Sequence, residues 1–314
     1  MKILRVLQTR TILALVAIFG VVATSLPAVA GDLIADIQKR GTLKVGMSTF
    51  VPWAMRDKKG DLIGFEIDVA SKLAADMGVE VEFVPTAWSG IIPALLAKKF
   101  DVIIGGMSIT PQRNLTVNFT TPYAHSGQMM AANKKLAASY TTMDDFNQAS
   151  VTIACRRGAT PCKAAQKLFP NSTLRQFDDD AQAFQEVVNG NAHAMISSAP
   201  KPRFWSEAYP DDVFVAFDGE NLTRGNEGFA LRKGDSDAMN FFSNWIVVNT
   251  SSGWLKERHD FWFKNRSGWK DMVKLEQYIQ HEMHGTGTPL GDPIEVGAAC
   301  AVVLLSLSLS LSLS

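Results

Sequence analysis

Two rhythms of apolar residues alternate along most of this chain. Thr42–Met47, Val79–Val84 and Asp101–Ile104 are short runs of the kind that forms strands, the middle one alternating with Glu80 and Glu82. Segments of helical period lie around them. Leu33–Lys39 reads as a short helix. Glu66–Met77 places Ile67, Ala70, Leu73, Ala74 and Met77 on one face before Gly78 stops it. Ile91–Lys98 reads as a third helix. A second series of the same kind follows, with strands at Val151–Ala154, Thr173–Phe177 and Ala194–Ser197. Its helices are Thr160–Leu168, Asp180–Val188 with Asp180 as N-cap, and Pro200–Ala208. Gly127–Asn133 reads as an extended crossover between the series. The chain crosses back after Phe217, through Gly228–Leu231, into long helices over Ser236–Phe263.

Strand–helix–strand alternation implies a parallel sheet with helices on its faces. Two such series predict an α/β chain of two lobes, each a sheet flanked by helices, joined by two crossover hinge strands. Residues 31–130 and 219–284 build the first lobe and residues 131–218 the second. In such sheets ligands bind beyond the carboxyl ends of the strands. Thr49–Trp53, Gly105–Arg113, Arg157–Thr160 and Ser197–Ser198 all follow strand ends, so they are expected to converge on the gap between the lobes.

The ends of the chain are different in kind. Lys2, Arg5 and Arg10 precede an uncharged apolar stretch, Ile12–Leu26, and Ala28-Val29-Ala30 is a small-x-small cleavage site. This is the pattern of an export signal over residues 1–30, cleaved after Ala30, and it predicts a periplasmic protein. Residues 285–314 finish in alternating Ser and Leu, a low-complexity tail set apart from the fold. The span between them, roughly 250 residues, is long enough for one large or two modest cores. Lys plus Arg and Asp plus Glu are equal at 31 each, so charge makes no case for nucleic acid or an anionic membrane. Cys155 and Cys162 can pair in an oxidising compartment, closing a short loop. Metal-site spacing is weak. His281 and His284 with Glu282 read as part of a solvated terminal helix, and no cofactor motif stands out.

Lys98–Tyr123, KKFDVIIGGMSITPQRNLTVNFTTPY, carries the most chemistry. A buried strand stops at Gly105 and Gly106, which leave the backbone uncovered. Hydroxyls at Ser108 and Thr110 and the guanidinium of Arg113 follow. Arginine binds carboxylates bidentately, and hydroxyls and peptide N–H groups satisfy the remaining lone pairs, so this set suits a carboxylate.

The chain resembles the family 3 periplasmic solute-binding proteins of ABC importers, the group for polar amino acids and opines. The resemblance is carried by GFEIDVASKLAADM (Gly64–Met77), WSGIIPALLAKKFDVIIGGMSITPQR (Trp88–Arg113) and FTTPY (Phe119–Tyr123). It is looser at RRGAT (Arg156–Thr160) and FDDDAQAFQEVVNG (Phe177–Gly190), and it covers Leu33–Phe263. It implies a two-lobed type II binding protein that closes on its ligand, works as a monomer and delivers a small carboxylate-bearing solute to a membrane permease. Arg113 would take the carboxylate with Ser108 and the backbone of Gly106 and Met107. Phe50 and Trp88 would sandwich the ligand body, with Trp53 nearby. Arg157, Gly158, Ala159 and Thr160 would form an anion loop at a helix start.

Two positions depart from the family pattern. Ser198 stands where an aspartate usually binds the ligand's ammonium, and Met47 stands where members selecting cations carry an acid. Glu227 is the acid nominated as a replacement. An acidic or polar amino acid, or an organic acid without an amine, is therefore expected over lysine, arginine or histidine. An enzyme is the alternative, since cyclohexadienyl dehydratases share the pattern. They need a general acid where this chain has Cys162, so a non-enzymatic role is expected. A sensory role would need an unfused partner.

Overall fold

The computed structural model describes residues 32–273. The export signal with its cleavage site, the His281–Glu282–His284 group and the 285–314 tail lie outside the described residues.

Two sheets share one plan. The first runs in the order β4 (Glu80–Pro85), β1 (Thr42–Met47), β5 (Val102–Ile103), β13 (Ala230–Leu231), β6 (Asn118–Phe119). Its first three strands are parallel, with Val45 opposite Phe83 on one side and Val102 on the other. The second has β11 (Val213–Val215), β7 (Ala124–Asn133), β10 (Ala194–Ser198), β8 (Thr152–Arg156) and β9 (Thr173–Phe177), again with three parallel strands. β12 (Thr223–Glu227) lies against the first half of β7. β2 (Met55–Arg56) and β3 (Leu62–Ile63) form a separate antiparallel pair. The α/β, two-sheet architecture is that of a type II binding protein. The alternation that predicts it arises because each parallel strand needs a crossover helix to reach the next.

The second sheet shows how the sequence fills two faces. Met130, Ile153 and Ile196 pack on one side with Phe146 and Phe169. Their neighbours Ala131, Ala154 and Met195 point the other way, onto Phe184 and Trp205. Successive strand side chains alternate, so a strand buried on both faces is apolar throughout.

The C-terminal segment is two helices, Ser236–Ser251 and Trp254–Lys264. Gly253 takes φ +81° between them, a left-handed turn that glycine accepts without a Cβ clash. Both are pinned to the helix Phe65–Asp76 by indole N–H groups. Trp245 donates to Asp76 at 2.8 Å and Trp262 to Asp68 at 2.6 Å. Asp235 caps Ser236–Ser251 through the N–H of Ala238 and also accepts the N–H of Leu33, tying in the helix Leu33–Arg40.

Three expectations change. The cap of Asp180–Val188 is Asp179, which has the extended backbone a cap requires and accepts the N–H of Gln182 at 2.7 Å. Asp180 is instead the first helical residue, with its carboxylate buried. The extended crossover at Gly127–Asn133 is the latter part of the longer β7. β8 continues past Ala154 to Arg156.

Candidate functional site

The carboxyl ends of the two sheets face each other across a gap, and side chains from both sides meet there. On the first side, Thr110 caps the short helix Pro111–Asn114 by accepting the N–H of Arg113. Proline at its start fixes the turn. Arg113 is thereby turned inward and buried. Its guanidinium donates to the carbonyl of Ser108 at 2.8 Å and, across the gap, to the carbonyl of Gly158 at 3.1 Å. Burial, and then the charge of Arg156, lower its pKa to about 10. It pairs with no carboxylate among the described residues.

A second contact between the sides is made by hydroxyls. Thr160 Oγ1 lies 3.3 Å from Ser108 Oγ and accepts from Gln128 Nε2 at 3.2 Å. Ala159 is buried, and its N–H is spent on the carbonyl of Arg156 at 3.1 Å. The expected anion loop therefore offers fewer free peptide donors than Gly158–Thr160 would by count.

Arg157 is a correction. Its side chain is 53 % exposed and paired with Asp178 outside the gap. The arginine inside is Arg156, only 6 % exposed. As the last residue of β8 it shares a face with Ala154, the face covered by the helix carrying Asp180. Its guanidinium donates to Ser48 Oγ at 3.3 Å and lies 5.2 Å from the Phe50 ring centroid and 4.8 Å from that of Trp88. The two rings expected to flank a ligand thus hold this cation by their faces.

Behind Arg156 sits a buried charge cluster. Asp180 Oδ2 is 3.3 Å from Lys201 Nζ and 3.8 Å from Arg156 Nε, and Ser197 donates to Oδ1 at 3.2 Å. Burial alone would raise the Asp180 carboxyl, but Lys201 and Arg156 hold it below the usual carboxylate range. Ser198 is half-buried at the end of β10, next to this cluster in sequence. Sequence reasoning stopped at Ser198 and missed Lys201. The signal available was a lysine set just past a strand end, between Pro200 and Pro202.

The remaining expected residues form the floor on the first side. Phe50 stacks on Trp53 with ring centroids 5.7 Å apart, and Trp53 is a core residue packed also on Phe65 and Phe263. Met107 is buried beside Trp88 and Ile103. Gly106 has φ +61°, and a Cβ there would come within 2.9 Å of Phe50 Cζ, so the strand end turns under the ring only because this residue is glycine. Its N–H donates to the Tyr123 hydroxyl at 3.0 Å, and that hydroxyl donates to Glu66 Oε1 at 2.7 Å. Burial, partly offset by the Tyr123 bond, pushes Glu66 up to about 8. Glu227, nominated for an ammonium, is buried and accepts the Ser126 hydroxyl at 2.5 Å. Burial pushes it up to about 8 too, so at neutral pH it holds a proton and is not an anion.

Cys155 and Cys162 are joined by a disulfide, closing the turn that carries Arg156 and Thr160.

Two sheets of matching order with an arginine gripped between their strand ends define a solute-binding fold. Residues 43–265 match the bacterial extracellular solute-binding proteins, family 3, and the chain belongs to that family. It is 29% identical over 257 residues to the L-cystine-binding protein TcyJ of Escherichia coli (strain K12), covering 79% of this chain and 94% of that one. It is 25% identical over 231 residues to cyclohexadienyl dehydratase of Pseudomonas aeruginosa, covering 73% of this chain and 85% of the enzyme. Among solved structures it is similar to a putative ABC transporter binding component from Wolinella succinogenes complexed with lysine. There the TM-score is 0.66 and the identity 36%, over 72% of this chain and 97% of that one. Most close relatives are binding proteins, and the dehydratase shows that the family also contains an enzyme. No helix among the described residues is long and apolar enough to cross a membrane.

Proposed function

We propose that this chain captures a small carboxylate-bearing solute in the interlobe gap and passes it, as a periplasmic monomer, to the permease of an ABC importer. The observation that carries the reading is Arg113. A buried guanidinium with no carboxylate partner among the described residues, joined to the opposite lobe through Gly158, is a carboxylate site that the ligand completes. Closing on such a ligand stabilises the closed form, which is the form a permease recognises.

An acidic or polar solute fits better than a cationic one. The relative from Wolinella succinogenes binds lysine on the same fold. In this chain, however, Met47 and Ser198 stand where the family places acids, and Arg113, Arg156 and Lys201 are buried around the gap. A cation entering there would meet like charge.

The dehydratase reading is disfavoured by Cys162. Its sulfur is bonded to Cys155 and has no proton to give a leaving hydroxyl. Incubation with prephenate should yield no phenylpyruvate.

The decisive experiment is mass spectrometry of the denatured protein to identify any retained molecule, followed by calorimetry on Arg113→Met. Loss of one partner of a buried charge pair costs about 3–5 kcal/mol, so affinity should fall by more than about a hundredfold. A retained molecule with no carboxylate, or affinity unchanged in the variant, would refute the reading.

A further inference from the structure

Two aromatic rings in the gap share one buried guanidinium. The Arg156 carbon Cζ lies over the Phe50 ring, 5.2 Å from its centroid, and over the Trp88 ring, 4.8 Å from its centroid. Its Nη1 donates to Ser48 Oγ at 3.3 Å, and its Nε is 3.8 Å from Asp180 Oδ2. Phe50, Trp88, Ser48, Asp180 and Arg156 itself are each no more than 7 % exposed. Ring faces, a hydroxyl oxygen and a carboxylate are the groups that receive a buried cation, so together they form a cation recess. The protein fills that recess with its own side chain.

The backbone beneath it is held separately. Arg156 ends β8, its neighbour Cys155 is tied to Cys162, and its carbonyl accepts the N–H of Ala159 at 3.1 Å. None of these bonds uses the Arg156 side chain, so shortening that side chain opens a cavity and keeps the bonds that hold the turn. The recess also borders the carboxylate site, because Arg113 lies over the same Trp88 ring, 5.7 Å from its centroid. A solute held by its carboxylate on Arg113 finds the neighbouring aromatic faces taken.

We infer that Arg156 is a plug that sets specificity: its guanidinium occupies the seat that a guanidinium-bearing solute would need, so the gap refuses arginine by occupancy. This rests on the gap being the ligand site, as proposed above. Like charge alone would let any neutral residue at position 156 admit a cation, whereas a plug admits one only when the replacement is small.

The test uses the mature protein, freed of retained ligand by unfolding with its disulfide intact and refolding, as wild type, Arg156→Ala and Arg156→Met. Alanine opens the recess, and methionine removes the charge but keeps an unbranched chain in it. Ethylguanidine at millimolar concentration is the first probe, with ethylurea as its uncharged counterpart. Ethylguanidine should raise the melting midpoint of Arg156→Ala by about 3 °C or more and leave the other two proteins unmoved, and ethylurea should move none. Should Arg156→Ala not fold alone, refolding with ethylguanidine should recover it and ethylurea should not. Calorimetry with arginine follows. Arg156→Ala should bind it about tenfold or more tighter than the wild type, and Arg156→Met should gain less than about threefold. Arg156→Ala indifferent to ethylguanidine, a wild type that responds equally, an equal gain of arginine binding in both variants, or no gain in either would each overturn the inference. Adding Arg113→Met to Arg156→Ala separates it from the reading of the site. Loss of arginine binding with the ethylguanidine response kept supports both. Arginine binding kept in the double variant would refute the carboxylate site and leave the plug standing.

Discussion

Replacing Glu66 by Gln should flatten the pH dependence of stability. Glu66 is fully buried at the start of the helix Phe65–Asp76, its Oε1 accepts from Tyr123, and its Oε2 has no partner. Burial raises its pKa from 4.5 to about 8. The folded carboxyl therefore binds its proton more tightly than the unfolded one. Unfolding between those pH values releases a proton, so stability falls as pH rises through the window and levels off above about 8. Each such proton contributes about 1.4 kcal/mol per pH unit. Glu227 is raised to about 8 as well, so the pair gives the wild type a slope of about 3 kcal/mol per pH unit in the middle of the window. Glutamine keeps the acceptor for Tyr123 and places an amide where the protonated acid holds its O–H. The variant should match the wild type near pH 5, lose about half the slope, and be more stable by about 5 kcal/mol at pH 9. Other shifted groups, such as Asp68 and Asp179, contribute equally to both proteins and drop out of the difference. Urea unfolding at intervals from pH 5 to 9 measures it. Parallel profiles for the two proteins would mean that Glu66 is ionised throughout, and the account of its burial would be wrong.

Arg157→Ala should leave ligand affinity within about threefold and stability within about 1 kcal/mol, because its ion pair with Asp178 is exposed. Calorimetry and a melt on one preparation check both, and a hundredfold loss of affinity would return Arg157 to the site. Reducing Cys155–Cys162 should cost about 2–3 kcal/mol, the chain entropy of a loop with sequence separation 7. Because the bond closes the turn bearing Arg156 and Thr160, affinity should weaken with it. Denaturant midpoints with and without reductant, followed by titration, test this.

Periodicity made most of the fold legible. Thr160–Leu168 and Thr173–Phe177 end where the pattern places them, because apolar spacing and bounding turns agree there. The short β2–β3 pair was not legible, since Met55–Arg56 and Leu62–Ile63 are too brief to show a period. In the site, Arg113 could be read because glycines, hydroxyls and a guanidinium cluster within one loop. Arg156 and Arg157 could not be told apart once the strand was ended at Ala154. Only the continued alternation of β8 decides which of the two points inward. Lys201 and Asp180 belong to different helices, and their pairing across the sheet edge leaves no local pattern to find.

The two passes between the lobes are not separate threads. Thr223 to Glu227 on β12 pair with Gln128 to Ala124 on β7, and the pairing carries on as Tyr123 N–H bonds to Glu227 and Thr120 N–H to Phe229. Neither pass can therefore stretch or slip without breaking a ladder shared with the other. A paired ribbon of this kind gives by twisting and bending as a unit, which leaves the lobes few ways to move apart. The same ribbon carries Ser126 and Glu227, so any bend there also works on a carboxyl that holds its proton at neutral pH.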